Sequence, residues 1–242
     1  MKWNITSSVI KGSGHKSPQD SISKYLDNDF ACLVLSDGAG VARRASEGAL
    51  FTTTNVVEIL KQHKEGIFNY TTEEIRNIIL NNLLDRLKQK AENEHHNIDD
   101  YMCTLIFFIS NGEKYIYGNL GDGLIGCMDI YGEGKPLSLP EHGKFVNQSY
   151  FITHKNAQEH FRIGMGPYKD NMIYFLMTDG TAECLYNFKH ETFSKALTTY
   201  CNWTVKYNPY DVNNYLKISM IRLFPQKTND DCALAMIYLR ER

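Results

Sequence analysis

Apolar runs of strand length constrain the fold of this chain more than any other feature of its sequence. The segments "FACLVL" (30–35) and "NMIYFLMTDG" (171–180) contain continuous apolar stretches bounded by polar turns, a pattern typical of strands buried on both faces. Further strands are predicted at 102–110, 114–120, 123–132 and 232–240. The pair Asn111-Gly112 lies between the first two of these strands and favours a tight hairpin turn. The pattern therefore predicts several buried strands, some of them joined as hairpins.

Two amphipathic helices are predicted between the first strand and the hairpins. From 45 to 60 the apolar positions have helical spacing if Thr53 faces inward. The second helix begins with a capping box formed by Thr71 and Glu74. Its apolar face carries Ile75, Ile78, Ile79, Leu83 and Leu87. Two later helices are predicted near 189–206 and 210–223. Strands on both sides of a helical pair, joined by hairpins, predict an α+β fold with mainly antiparallel sheets rather than a βαβ series.

Length and composition exclude several classes of protein. The 242 residues are 43% hydrophobic and are interrupted by no linker or repeat, so we expect one domain over residues 1–242. A formal net charge of −2 does not favour nucleic acid or an anionic membrane as a partner. No run approaches the roughly 20 apolar residues of a membrane span, and the first residues do not resemble a signal peptide. We therefore expect a cytoplasmic protein whose six cysteines, which lack a C-x-x-C pair, are mostly buried free thiols.

Aspartates stand beside the apolar runs along the whole chain. They are Asp20, Asp37, Asp122, Asp179 and the pair Asp230-Asp231. Several carboxylates brought together at strand ends would repel one another unless cations lay between them. Oxygen ligands of this kind suit magnesium or manganese rather than zinc. Asp-Gly is also a common turn pair, and an acidic pair is common on a protein surface. Spacing alone therefore leaves both a metal site and ordinary turns open.

Five segments, taken in order, resemble the motifs of the metal-dependent type 2C serine/threonine protein phosphatases. They are "GHKSPQD" (14–20), "SDGAGVARRASEGA" (36–49), "GNLGDG" (118–123), "LMTDGTAE" (176–183) and "NDDCALAMI" (229–237). The G-x-x-H…Q-D opening is similar to the compact bacterial branch of that family, and the segment 141–153 resembles its G-E-Y-x-N-x-T-x-F motif. The resemblance extends from about residue 12 to residue 239, and five motifs in the right order are specific where one alone would be weak.

The resemblance implies a four-layer αββα sandwich with two mainly antiparallel sheets and a binuclear magnesium or manganese centre at one end. Asp37 would bridge both ions and the Gly38 carbonyl would ligate one of them, while Asp179 and Asp230 would hold the other. Gly38 and Gly40 are expected to let the chain turn tightly at this point. Two metals about 3.5–4 Å apart would activate a water that attacks phosphorus in line. The implied substrate is a phosphorylated protein, with a serine/threonine kinase as the cognate partner.

Four positions depart from the family's commonest pattern or extend it. Asp122 and Glu183 match the positions of a third, looser metal, where the second residue is usually aspartate. The usual metal-ligating glutamate falls on the neutral Gln19, which makes Asp20 the more plausible acid near the second ion. The arginine that usually clamps phosphate falls on His15, which would donate a weaker hydrogen bond than a guanidinium.

Three functions remain open on the sequence. The first is an active phosphatase acting on phosphoserine or phosphothreonine, which the presence of Asp37, Asp179 and Asp230 favours. The second is a catalytically weak or inactive relative that uses the fold as a binding or regulatory module, which Gln19 and His15 keep open. The third is a phosphatase acting on a small phosphorylated metabolite.

Overall fold

The structure is a computed structural model that describes residues 2–15, 17–141 and 149–241. Within these residues the strands are β1 (Lys2–Ile10), β2 (Ser21–Leu26), β3 (Ala31–Ser36), β4 (Leu105–Ser110), β5 (Lys114–Leu120), β6 (Leu124–Asp129), β7 (Gly134–Ser138), β8 (Arg162–Pro167), β9 (Met172–Met177), β10 (Tyr186–Asn187), β11 (Thr192–Phe193) and β12 (Cys232–Glu241). The α-helices are α1 (Ala45–Gln62), α2 (Thr72–Asn93), α3 (Ala157–His160), α4 (Asp179–Leu185), α5 (Lys195–Lys206) and α6 (Pro209–Leu223). Short 3-10 helices lie at Ile67–Asn69, Ile98–Tyr101 and Phe224–Gln226.

Two five-stranded sheets stack face to face. One has the strand order β1-β12-β9-β6-β7 and the other β2-β3-β4-β5-β8, and every pairing within them is antiparallel. Side chains of both sheets meet in a shared core, where the rings of Phe108 and Tyr174 stack with centroids 4.7 Å apart. In β3, Leu33 and Leu35 join this core, whereas Cys32 and Val34 face a second cluster formed with the helices. Burial of both faces explains why this run is apolar without interruption.

Helices cover the outer face of each sheet. The helices α1 and α2 bury their apolar faces against the sheet that contains β3, and α5 and α6 pack on the sheet that contains β1 and β12. The result is helix, sheet, sheet, helix, which confirms the predicted α+β fold and the four-layer αββα sandwich. None of the described helices combines the length and the apolar character that crossing a membrane requires.

Several local predictions are confirmed. Thr53 is fully buried on α1, and Thr71 and Glu74 form the capping box of α2. The Asn111-Gly112 turn joins β4 to β5, with Gly112 at φ 82°. All six cysteines are buried and free.

Other local predictions differ from the structure. The strand predicted at 171–180 ends at Met177, and α4 begins at Asp179. The helix predicted near 189–206 begins only at Lys195, because the Ser194 side chain caps it by accepting from the Leu197 amide.

Six strands, β1, β2, β7, β8 and the two-residue strands β10 and β11, were not predicted. The reason is visible in β1, where Trp3 and Ile5 enter the core but polar residues face the helical layer. Asn4 donates to the Thr204 carbonyl at 3.0 Å, and the Thr6 and Thr204 hydroxyls lie 2.7 Å apart. A strand covered through hydrogen bonds does not produce an apolar run in the sequence.

Candidate metal centre

The antiparallel registers bring distant aspartates to one end of the sandwich. β2 pairs Ser21 with Ser36 of β3, and β9 pairs Met177 with both Leu124 of β6 and Leu234 of β12. The end of one strand therefore lies beside the start of its neighbour. The aspartates occupy these positions, as Asp20 precedes β2, Asp37 follows β3, Asp122 joins β5 to β6, Asp179 follows β9 and Asp230 precedes β12.

Three of these side chains converge closely. Asp37, Asp122 and Asp179 each place a carboxylate oxygen within 4.8 Å of the other two. Asp122 Oδ2 accepts a hydrogen bond from the Ser149 hydroxyl, but its Oδ1 is buried without a partner. Asp179 Oδ1 accepts from the Gly180 amide at 2.7 Å. The three carboxylates therefore face one another, and at least one of their oxygens, Asp122 Oδ1, has no hydrogen-bond partner in the protein.

The three carboxylates open onto a cleft of about 490 Å³. Among the described residues that line it, the acidic ones are Asp37, Asp122, Asp179, Glu183 and Asp230, and none is lysine or arginine. Pro140, Phe151 and Phe188 form an apolar part of the wall. A cleft whose described lining has five acids and neither lysine nor arginine is suited to cations.

The burial and clustering of these acids also raise their pKa values. Burial raises the pKa of Asp37 well above its ordinary value, and the nearby charges of Asp20, Asp122 and Asp230 raise it further. Burial likewise raises the pKa of Asp179, with the charges of Asp37, Asp122 and Asp230 adding to the effect. Divalent cations bound between the carboxylates would offset this repulsion, and all the available donors are oxygens, which suits magnesium or manganese. The residues present therefore fit the metal centre that the motifs imply.

Asp230 and Glu183 line the cleft but are not part of the close triad. The Asp230 side chain is 46% exposed, and its Oδ1 accepts from the Asp231 amide at 2.8 Å. Glu183 is exposed on α4, one turn after Asp179. Both side chains have room to approach an ion in the cleft.

Asp20 lies behind Asp37 instead of lining the cleft. It is 7% exposed, its Oδ2 accepts from the Thr178 hydroxyl at 2.7 Å, and its charge adds to the rise in the pKa of Asp37. Its Oδ1 is buried without a partner, and burial raises its pKa well above the ordinary value. After burial, the charge of Asp20 contributes most to the raised pKa of Asp37.

Glycines of the motifs allow both turning and close packing. As expected, Gly40 lies in a tight turn, which the Ala42 amide closes by donating to the Ala39 carbonyl at 2.8 Å, although neither Gly38 nor Gly40 has a positive φ. A Cβ on Gly38 would lie 2.6 Å from the carbonyl carbon of Ala45. Gly38 therefore lets the start of α1 approach the Asp37 loop, whereas Gly40 has open space around it.

Gly180 has a similar packing role on the other side of the cleft. A Cβ there would collide with the carbonyl oxygen of Asp231. Its absence lets the start of α4 lie against residues 230–231, which brings Asp179 near Asp230. Among the described glycines with positive φ, Gly121, at φ 114°, is the one that directly precedes a cleft aspartate, Asp122.

The first loop, residues 12–19 between β1 and β2, places His15 and Gln19 beside Asp231. His15 Nδ1 lies 2.9 Å from Asp231 Oδ2 and 4.0 Å from Asp230 Oδ1, and His15 is not among the residues lining the cleft. The backbone N–H of Gln19 donates to Asp231 Oδ2 at 2.6 Å, and the side-chain oxygen of Gln19 is buried without a partner. Sequence reasoning assigned no role to Asp231, and its only signal was its place directly after Asp230.

The segment 141–153, which resembles a family motif, is described only in part. Residues 142–148 lie outside the described residues. Ser149 and Phe151, which follow them, both line the cleft.

Comparisons with known proteins agree with this geometry. The model of the protein phosphatase 2C family matches residues 13–217. Serine/threonine-protein phosphatase 3 of Escherichia coli (strain K12) is 26% identical over 167 residues, which are 65% of this chain and 65% of that relative's length.

Solved structures share the fold along nearly the whole chain. The serine/threonine phosphatase of S. agalactiae is 18% identical and superposes with a TM-score of 0.70 over 98% of this chain and 100% of that one. The catalytic domain of the serine/threonine protein phosphatase PstP, in complex with 2 manganese ions, is 12% identical with a TM-score of 0.64 over 99% of both chains. With the family model matching most of its length, this chain belongs to the protein phosphatase 2C family.

Proposed function

We propose that the protein hydrolyses phosphoserine and phosphothreonine on proteins at a binuclear manganese or magnesium centre in this cleft. The observation that carries the proposal is the convergence of Asp37, Asp122 and Asp179, whose oxygens lie within 4.8 Å of one another in a cleft lined by no lysine or arginine among the described residues. Buried like charges of this kind repel one another unless they take up protons or cations lie between them.

Each residue has a role in this proposal. Asp37 would hold both ions, the Gly38 carbonyl would contribute a ligand to one, and Asp179 and Asp230 would hold the other. Asp20, whose charge acts on Asp37, would supply the acid that Gln19 does not. When bound, the two ions make hydroxide available at neutral pH and offset charge on the phosphoryl oxygens.

Asp122 and Glu183 hold a third, looser ion in this proposal. Asp122 has a buried oxygen without a partner, and Glu183 reaches the same cleft from the exposed side of α4. His15 contacts the phosphoryl group of the substrate, with the apolar wall of the cleft available to the protein that carries it.

The relatives support the substrate class. The E. coli relative is a serine/threonine-protein phosphatase by name, and the PstP structure contains 2 manganese ions. We extend this to a phosphorylated protein substrate with a cognate serine/threonine kinase, acted on in the cytoplasm by one domain formed by residues 1–242.

The test measures hydrolysis of p-nitrophenyl phosphate and of a phosphothreonine peptide with manganese, with magnesium and with EDTA. We expect metal-dependent hydrolysis of both substrates, abolished by EDTA and reduced at least about 100-fold in Asp37→Asn, because that variant loses the bridging ligand. Asp85→Asn is the matched control, since Asp85 is 72% exposed on α2 and is not among the residues that line the cleft.

Two results would contradict the proposal. A folded, manganese-loaded protein without hydrolysis of either substrate would favour the binding or regulatory module. Hydrolysis of p-nitrophenyl phosphate without hydrolysis of phosphopeptides would favour a small phosphorylated metabolite.

A further inference from the structure

One buried carboxylate close to the metal centre has no place in the chemistry described so far. Asp231 is 1% exposed, and both of its oxygens accept hydrogen bonds. Oδ1 accepts from the Gly12 amide at 2.6 Å, and Oδ2 accepts from the Gln19 amide at 2.6 Å. Oδ2 also lies 2.9 Å from His15 Nδ1. A single side chain therefore holds both ends of the loop 12–19 and the ring between them.

Packing fixes Asp231 in this position. A Cβ on Gly12 would collide with the Asn229 carbonyl oxygen on one side, and a Cβ on Gly180 would collide with the Asp231 carbonyl oxygen on the other. The Gly14 amide donates to the Asn229 carbonyl at 3.3 Å. The backbone of residues 229–231 thus lies between the first loop and the start of α4.

The neighbouring aspartate behaves differently. The Asp230 side chain is 46% exposed and lines the cleft, whereas the Asp231 side chain is 1% exposed and does not. Because backbone and ring donors already occupy the oxygens of Asp231, they are not available to an ion in the cleft.

The contact with His15 has a chemical consequence. A carboxylate can only accept, so the His15 nitrogen that faces it must carry the proton. With Nδ1 engaged in this way, Nε2 is the ring nitrogen left for any other contact, and the orientation of the ring is fixed. Carboxylates orient metal-ligating and catalytic histidines by the same arrangement.

We propose that Asp231 is a positioning residue, which anchors the loop 12–19 and orients His15 so that Nε2 is presented to the phosphoryl group of the substrate. The proposal rests on the proposed function for the identity of that group. It predicts that removing the Asp231 charge affects the binding of phosphate through His15 and leaves metal binding intact.

The first experiment observes the ring itself. Long-range ¹H–¹⁵N spectra of the histidine rings are recorded for the wild type, Asp231→Asn and His15→Gln, the last of which assigns the His15 signals. We expect the wild-type signals of a protonated, hydrogen-bonded Nδ1, with this pattern lost in Asp231→Asn. A wild-type His15 that carries its proton only on Nε2 would overturn the proposal, and this outcome needs neither activity nor a folded variant.

The second experiment separates positioning from general loosening of the loop. Binding of inorganic phosphate to the magnesium-loaded protein is measured by calorimetry, together with KM and kcat for p-nitrophenyl phosphate. We expect Asp231→Asn and His15→Gln each to weaken phosphate binding and raise KM by about 10-fold, the effect usual for partners of a site residue. The double variant should be no worse than His15→Gln alone, since both changes remove one interaction.

Asn229→Ala is the matched structural control. Asn229 accepts from the Ser13 hydroxyl at 2.9 Å and so holds the same loop without contacting the His15 ring. We expect the KM of this variant to remain within about twofold of the wild type, because the Asn229 side chain shares no hydrogen-bond partner with the His15 ring. An equal rise of KM in Asn229→Ala, or a loss of manganese affinity in Asp231→Asn, would overturn the positioning role. If no variant hydrolyses any substrate, the proposed function fails while the ring spectra and phosphate binding still decide the role of Asp231.

Discussion

The cleft and the first loop lie at the same end of the sandwich and treat their carboxylates in opposite ways. In the cleft, Asp37 and Asp179 face other acids, and repulsion together with burial raises their pKa values. In the loop, Asp231 is more deeply buried, with 1% exposure, but accepts two amide hydrogen bonds at 2.6 Å and faces the His15 ring. The partners of a buried carboxylate, more than its burial or its place beside a strand, therefore distinguish a candidate metal ligand from a structural anchor.

The sharpest contrast is in metal affinity. Asp179→Asn should weaken manganese binding at least about 100-fold, because it removes a carboxylate from the close triad. Asp231→Asn should leave manganese affinity within about twofold of the wild type, since its oxygens already have partners. Calorimetric titration of manganese into both variants measures this. Equal losses in the two variants would erase the distinction between cleft and loop.

Stability without metal should change in opposite directions in the two regions. Asp231→Asn is expected to lower the free energy of unfolding by about 2–3 kcal/mol, the scale of lost hydrogen bonds to a charged group. Asp37→Asn is expected to raise it by about 1 kcal/mol, the scale of one pKa unit, because it removes a repelling charge. Urea unfolding in EDTA measures both changes. A destabilised Asp37→Asn protein would show that the cleft carboxylates are not under strain from one another.

The cleft also predicts a dependence of stability on pH. The raised pKa values of Asp37, Asp179 and Asp20 mean that the folded protein binds more protons than the unfolded chain. The metal-free protein should therefore lose stability as pH rises from the ordinary aspartate value of 3.8 through the raised values. Saturating manganese should reduce or remove this loss. Thermal melting from pH 5 to pH 8 with EDTA and with manganese compares the two slopes, and identical slopes would contradict the prediction.

The smallest effect is expected at the rim of the cleft. Glu183→Gln should reduce hydrolysis of p-nitrophenyl phosphate by less than about 10-fold, because the ion that Glu183 would hold with Asp122 is looser than the two that activate water. Glu183 is exposed and is not part of the close triad. Activity measured across a manganese titration checks this. A loss as large as that of Asp37→Asn would place Glu183 among the essential ligands.

Part of the fold was predictable from the sequence. Runs such as 30–35 predicted buried strands because sheets covered on both faces select apolar residues at every position. β1 was missed because Asn4 and Thr6 meet their helical layer through hydrogen bonds with Thr204. A run of apolar residues therefore predicts a strand that is buried by apolar contacts, but it does not predict a strand that is covered through hydrogen bonds.

The site was predictable through its motifs but not its distances. Which aspartates converge depends on close approaches at Gly38 and Gly180, which spacing along the chain does not encode. Asp230 and Asp231 are adjacent and identical in type, so their different surroundings could not be read from the sequence. Those surroundings are set by Gly12, His15 and Gln19, which are more than 200 residues away in the chain.

The measurement that tests the central claim most directly is an anomalous difference map from a crystal of the manganese-loaded protein. Two strong peaks within manganese–oxygen bonding distance of Asp37, with Asp179 and Asp230 on one of them and none at Asp231, are the predicted result. A map without a peak at Asp37 under saturating manganese, or with a manganese ion bound by Asp231, would contradict the assignment of the cleft as the metal centre and of the loop as its support.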